Sequence, residues 1–169
     1  NVTTVAASVA IGRESLKALT SGGGNIGIGF QSLTALTTGT DNIAIGYAAL
    51  QVADGAEDNN VVIGTGAGMS INNDASDDNV FIGTYAGKGG TGELDRNVAI
   101  GYLAMDGTGS LGGTQNIFIG DNAGGGTWAT AVSNSNVAIG ATAMSGALNG
   151  ASNNTAVGHD TLKVLTTGD

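Results

Sequence analysis

The chain is expected to be all-β: a parallel β-solenoid of nine coils of 17–20 residues, with residues 1–169 forming a single repeat domain. Three observations predict this. A five-residue stretch, plainest as Asn97-Val98-Ala99-Ile100-Gly101, occurs nine times with small changes. Its closing glycine falls at Gly12, Gly29, Gly46, Gly64, Gly83, Gly101, Gly120, Gly140 and Gly158, in steps of 17, 17, 18, 19, 18, 19, 20 and 18 residues. The composition, with 31 glycines, no proline and 41% hydrophobic residues in fixed register, excludes both collagen and a disordered chain.

Each unit reads as an apolar strand ending at the glycine and a weaker second strand about four to seven residues later, as at Ser15-Leu16 and Ala18-Leu19. Unit two repeats this with Ser32-Leu33, Ala35-Leu36 and a Thr37-Thr38-Gly39 turn, and unit three with Ala49-Leu50 and Val52-Ala53. Units four to eight loosen the second strand, where Met69, Ile71, Leu94, Met105, Leu111, Trp128, Val132, Met144 and Leu148 are expected to fill the space. Their turns lengthen, as from Asn72 to Asp78, and a solenoid tolerates insertions on one side of the repeat. Unit nine returns to the tidy form, with Thr161-Leu162, Val164-Leu165 and Thr166-Thr167-Gly168.

Each column of the repeat has its own expected role. Four residues before the glycine stand Asn25, Asn42, Asn60, Asn79, Asn97, Asn116, Asn136 and Asn154, with Ser8 in the first unit. Stacked about 4.8 Å apart, these amides would form a hydrogen-bonded ladder. Three before the glycine are Val9, Ile26, Ile43, Val61, Val80, Val98, Ile117, Val137 and Thr155, and one before it are eight isoleucines and Val157. Alternate residues of a strand share a face, and these β-branched columns are expected to point into the solenoid. The residue between them would then point outward: Ala10, Gly27, Ala44, Val62, Phe81, Ala99, Phe118, Ala138 and Ala156. A strand apolar on both faces is buried on both, so this middle column is expected to be a subunit interface, with a broad solenoid covered by its own loops as the alternative.

The balance of 14 acids against 5 bases, net −9, offers no basic stripe for nucleic acid. No apolar run approaches the roughly 20 residues of a membrane span, so no membrane insertion by this segment is expected. The absence of cysteine excludes disulfides. With no Met at its start, the chain reads as a segment of a longer fibre.

The residues Ser8 to Gly12, Asn97 to Gly101 and Asn136 to Gly140 resemble the head repeat of YadA-like trimeric autotransporter adhesins. Asn154-Thr155-Ala156-Val157-Gly158, followed by Leu162 and Thr166-Thr167-Gly168, is similar to arrays in bacteriophage tail fibres. The resemblance implies a left-handed parallel β-roll, three identical chains side by side, on a virion fibre or bacterial cell surface and in contact with a host. The units of 17–20 residues are longer than the usual adhesin repeat.

Motifs for other chemistry are weak. Gly87-Lys88-Gly89-Gly90-Thr91-Gly92 matches Gly-x-Gly-x-x-Gly without a βαβ unit around it. A single histidine, His159, and no cysteine leave no Cys–His pair, so no catalytic site and no cofactor are expected. Asp54, Glu57 and Asp58, or Asp74, Asp77 and Asp78, could offer oxygen ligands to Ca²⁺, but solvated turn acids are the plainer reading and no metal is expected. Asn1-Val2-Thr3 and Asn153-Asn154-Thr155 are glycosylation sequons, meaningful only in a eukaryotic secretory host.

Three functional readings follow: an adhesive fibre, a passive shaft with its binding tip elsewhere, and an ice-binding solenoid. The last ranks lowest because its threonine pairs do not recur in every coil. The position after each glycine is the most variable in the repeat, so partner contact with a host glycan or protein is expected there, at Phe30, Tyr47 and Tyr102. Trp128, in the long turn from Gly124 to Ser135, is either a further anchor or a plug for the weak second strand.

Overall fold

The computed structural model describes residues 7–128 and 130–164. The first glycosylation sequon and the Thr166-Thr167-Gly168 turn lie outside them. Nine three-residue strands stack in one parallel sheet: β1 (Val9–Ile11), β2 (Ile26–Ile28), β3 (Ile43–Ile45), β4 (Val61–Ile63), β5 (Val80–Ile82), β7 (Val98–Ile100), β9 (Ile117–Ile119), β10 (Val137–Ile139) and β11 (Thr155–Val157). A second sheet of two short strands, β6 (Leu94–Asp95) and β8 (Gly113–Thr114), forms in the turns. The chain is thus a parallel β-solenoid of about eight full turns, without helix among the described residues.

Register follows the sequence repeat without slip. Val98 pairs with Ile117, Ala99 with Phe118 and Ile100 with Ile119, and every other step of the large sheet keeps the same correspondence. The closing glycine is required by that stacking. At Gly120, φ is +139°, and an added Cβ would sit 2.5 Å from the carbonyl oxygen of Gly140 in the next coil. The same approach recurs along the column from Gly12 to Gly140, so no other residue fits there.

Four to seven residues after the glycine, tight turns stand where a second strand was expected; of the described residues named for it, Leu94 alone lies in a strand, β6. Residues two and four after the glycine sit in the left-handed region, for example Gln31 and Leu33 at φ 56° and 51°, and Leu103 and Met105 at 53° and 54°. For residues with a side chain each such position costs on the order of 1 kcal/mol. Hydrogen bonding offsets it. The N–H of Gln31 donates to Arg13 O in the preceding coil at 3.0 Å, and that of Leu33 to Ala49 O in the following coil at 3.1 Å. Met105 N–H and Leu103 N–H do the same, to Ala123 O at 2.9 Å and Thr84 O at 3.0 Å. The turn therefore pairs with both neighbours as a strand would, while its alternation turns Leu33, Leu50, Met105 and Met144 fully into the core.

That core overturns the face assignment expected from the sequence. The middle column points inward: Ala44, Val62, Phe81, Ala99, Phe118 and Ala138 are 0% exposed and Ala156 4%. Ala10, in the first rung, is exposed. The two β-branched columns point outward, and none of their residues is buried. Inside each coil the middle side chain of the strand lies beside the residue four after the glycine, with Leu36, Ile71, Leu94, Trp128 and Leu148 buried further along the turns. The sizes of the first two compensate. Gly27, Ala44, Ala99 and Ala138 go with Leu33, Leu50, Met105 and Met144, whereas Val62, Phe81 and Phe118 go with Gly68, Gly87 and Gly124. A Cβ at Gly87 or Gly124 would strike the Phe81 or Phe118 ring. A residue that must share a fixed volume with another inside one coil cannot also form a subunit contact.

Candidate functional site

The asparagine column forms a continuous internal ladder. Each Oδ1 accepts from both the backbone N–H and the Nδ2 of the next asparagine. From Asn79 to Asn97 these distances are 2.9 and 3.1 Å, and from Asn97 to Asn116 they are 2.9 and 3.2 Å. From Asn25 to Asn136 each Nδ2 also donates across the coil to a turn carbonyl, as Asn97 to Gly113 O at 2.8 Å and Asn136 to Ala151 O at 2.7 Å. Asn25, Asn42, Asn60, Asn79, Asn97, Asn116 and Asn136 are fully buried, and Asn154 is half-buried in the last rung. Ser8 supplies the missing acceptor in the first rung, its Oγ 3.3 Å from Asn25 N. A ladder so fully occupied internally is structural and leaves nothing to bind a partner.

The outer face of the large sheet is different. Val9, Ile11, Ile117, Ile139, Thr155 and Val157 are exposed, and the remaining members of both columns are half-buried by their stacked neighbours. Eight steps of about 4.8 Å make this a continuous double stripe of branched side chains about 38 Å long. Contiguous apolar surface of this length is uncommon on the outside of a lone soluble chain. The sequence carried the signal that would have found it, namely the inverse sizes of the middle column and of the residue four after each glycine.

The position after each glycine faces out along the turn edge. Tyr47 is 57% and Tyr102 53% exposed. Phe30 stacks on Tyr47 with ring centroids 5.4 Å apart and planes inclined 18°, and the Arg13 guanidinium lies 4.9 Å from the Phe30 centroid. Arg13, Phe30 and Tyr47 thus make a short ladder of flat groups over three coils, with Tyr102 standing apart from it. Beside them runs a polar row, in which Gln31 Nε2 donates to Glu14 Oε2 at 2.7 Å and Gln51 Nε2 to Gln31 Oε1 at 2.8 Å. The hydrogen bond from Gln31, with Lys17 nearby, holds the Glu14 carboxyl below its ordinary range.

Trp128 does not join this surface. It is 2% exposed, packs edge-on against Phe118 at 6.1 Å, and donates from Nε1 to Gly124 O at 3.4 Å. Of the two readings of Trp128, the plug is the one the packing supports. The space exists because Gly113 lies against the indole, where a Cβ would collide with Cζ3.

The turn acids divide into two kinds. Asp58 Oδ1 accepts from Thr40 N and Oγ1, and Asp77 Oδ1 accepts from Asp58 N at 2.7 Å, so these two cap backbone groups of the coil before them. Asp54 and Glu57 from one turn meet Asp74 from the next, a grouping across coils that neither triplet read within a single turn contained. Searches against known protein families, curated proteins and solved structures find no match to this chain.

Proposed function

We propose that the chain is a segment of an extracellular fibre, a homotrimeric left-handed β-solenoid rod whose outward turns contact a host surface. The single observation carrying this reading is the uncovered double stripe of Val and Ile along the sheet. It is continuous, apolar and repeats at the coil spacing, and an identical stripe on another copy of the chain has the matching period by construction. Copies related by a closed rotation bury all three stripes around one axis without leaving an edge free. The likeness of the repeat to YadA-type heads and tail-fibre arrays supports the trimer, the extracellular setting and attachment. Three copies would also present each turn three times, which raises weak contacts to useful avidity. Tyr47, Tyr102 and Phe30 carry the contact in this reading, with a glycan or protein surface as partner.

Burial of Trp128 favours the second reading, a passive shaft, because it removes the largest candidate anchor from the surface. The two readings separate in one experiment. Tyr47→Ala and Tyr102→Ala variants are compared with the parent for attachment to the host surface, after sedimentation equilibrium has established that each remains assembled. Weakened attachment supports adhesion, and attachment equal to the parent in both assigns the segment to the shaft.

A further inference from the structure

We propose that the turns of the third and fourth coils form a divalent-cation site, fitted to Ca²⁺, from Asp54, Glu57 and Asp74. One carboxylate oxygen of each residue lies within 4.8 Å of those of the others. Two oxygens bound to one Ca²⁺ at about 2.4 Å are at most about 4.8 Å apart, so the spacing of the three is within reach of one shared ion. The independent observation is Glu57. It is fully buried, its Oε2 accepts from Gly55 N at 3.1 Å, and its Oε1 has no hydrogen-bond partner. A buried carboxylate oxygen left without a partner is costly, and a cation among the three acids would satisfy it.

The surroundings fit that occupant. Among the described residues the ion pairs are Lys17–Glu14, Arg96–Asp95, His159–Asp160 and Lys163–Asp160, so none of the three acids has a basic neighbour to neutralise it. Burial pushes the Glu57 carboxyl above its ordinary range, and Asp74 and Asp54 add to the shift against two backbone donors. Gly55 leaves room for the Asp74 carboxylate to reach across, since a Cβ there would collide with Asp74 Oδ1. Asp74 Oδ1 is further oriented by Ala56 N at 3.4 Å. The nearby carbonyls are taken: Asp54 O by Thr37 Oγ1 at 2.6 Å, Gly55 O by Gly39 N at 3.0 Å, and Glu57 O by Asn42 Nδ2 at 2.7 Å. Carboxylates therefore supply the protein ligands and water completes the sphere, an arrangement suited to a hard ion that tolerates irregular geometry.

The test is isothermal titration of the assembled protein with CaCl₂ up to about 10 mM in about 0.15 M NaCl, which screens diffuse attraction to surface acids. One ion per chain is expected, with a dissociation constant of about 10⁻⁴–10⁻³ M, the range of extracellular calcium modules. Asp54→Asn and Asp74→Asn replace exposed groups and leave the core intact. Each should weaken binding by roughly tenfold or more, because affinity follows the number of charged ligands. Glu57→Gln should abolish it, whereas Asp121→Asn, three coils away, should leave it unchanged. No saturable heat with the parent, or equal binding by Asp54→Asn, Asp74→Asn and the parent, overturns the proposal.

Discussion

At the scale of single residues, two rules govern this chain: the closing glycine admits no side chain, and each coil has a fixed interior volume. Gly101→Ala places a methyl against the Gly120 carbonyl at a backbone φ of +138°. It should destabilise by upward of about 2 kcal/mol, read as a lowered denaturant midpoint. The volume rule makes a sharper prediction. Phe81→Ala empties a fully buried site and should cost about 3–5 kcal/mol, and Gly87→Leu should also destabilise by driving a side chain into the Phe81 ring. Gly87 already has the left-handed φ, 53°, at which Met105 sits in the next coil. The double variant recreates the Ala44 and Leu50 arrangement, so its cost should fall below the sum of the two, with a coupling of about 0.5–3 kcal/mol in a thermal unfolding cycle. Strict additivity would remove the rule. Glu57 gives the residue-scale pH dependence. Its folded carboxyl is raised above the ordinary 4.5, so folding takes up a proton there. Without divalent cation, the stabilisation from the protonated form is full below 4.5 and is lost as pH rises through the higher folded value. Glu57→Gln should flatten that slope in unfolding midpoints taken from neutral to mildly acid pH.

At the scale of elements, three residues are too few to make a stable strand, and the strands persist because side chains bond along the same axis as the backbone. Asn97→Ala takes the acceptor from two donors of Asn116 and the donor from Gly113 O, all in the buried interior. Each unsatisfied group costs about 1–3 kcal/mol, so the variant should unfold at markedly lower urea and lose amide-exchange protection at Asn116 first. The turns obey the same logic, since their left-handed residues bond alternately forward and back. The asparagine ladder was legible in the sequence because eight asparagines share one register. The turn geometry was not. The Ser-Leu and Ala-Leu pairs read as a second strand, since an alternating left-handed path and an extended one both bury every second residue.

At the scale of the molecule, the decisive feature is the outer stripe. Ile45 and Ile63 sit near the middle of it and are half-buried in the single chain. Ile45→Asp or Ile63→Asp leaves the coil interior untouched, so the proposed trimer should dissociate while strand content by circular dichroism is retained. Sedimentation equilibrium of the parent should give three times the 16.4 kDa chain mass. A parent chain that sediments as a folded monomer would refute the assembly. Ala99→Asp tests the opposite face, and as the coil interior has no room for a carboxylate, it should prevent folding rather than association. Ile100→Ala accordingly should weaken assembly more than it weakens the coil.

The repeat alone dictates the period, the parallel in-register stacking, the asparagine ladder and the glycine column, because each depends on a residue type recurring at one place from coil to coil. It did not determine which side of the strand faces in. Val-Ala-Ile is apolar on both faces, so alternation carries no sign, and burying the larger pair would be the usual outcome in a wide core. Only the closed coil decided it. Its turns bring the residue four after the glycine against the middle of the strand, where Ala or Gly goes with Leu or Met, and Val or Phe with Gly, and the branched residues are left outside. The same closure placed Asp74 beside Glu57, which lie in different coils and become neighbours only when the coils stack.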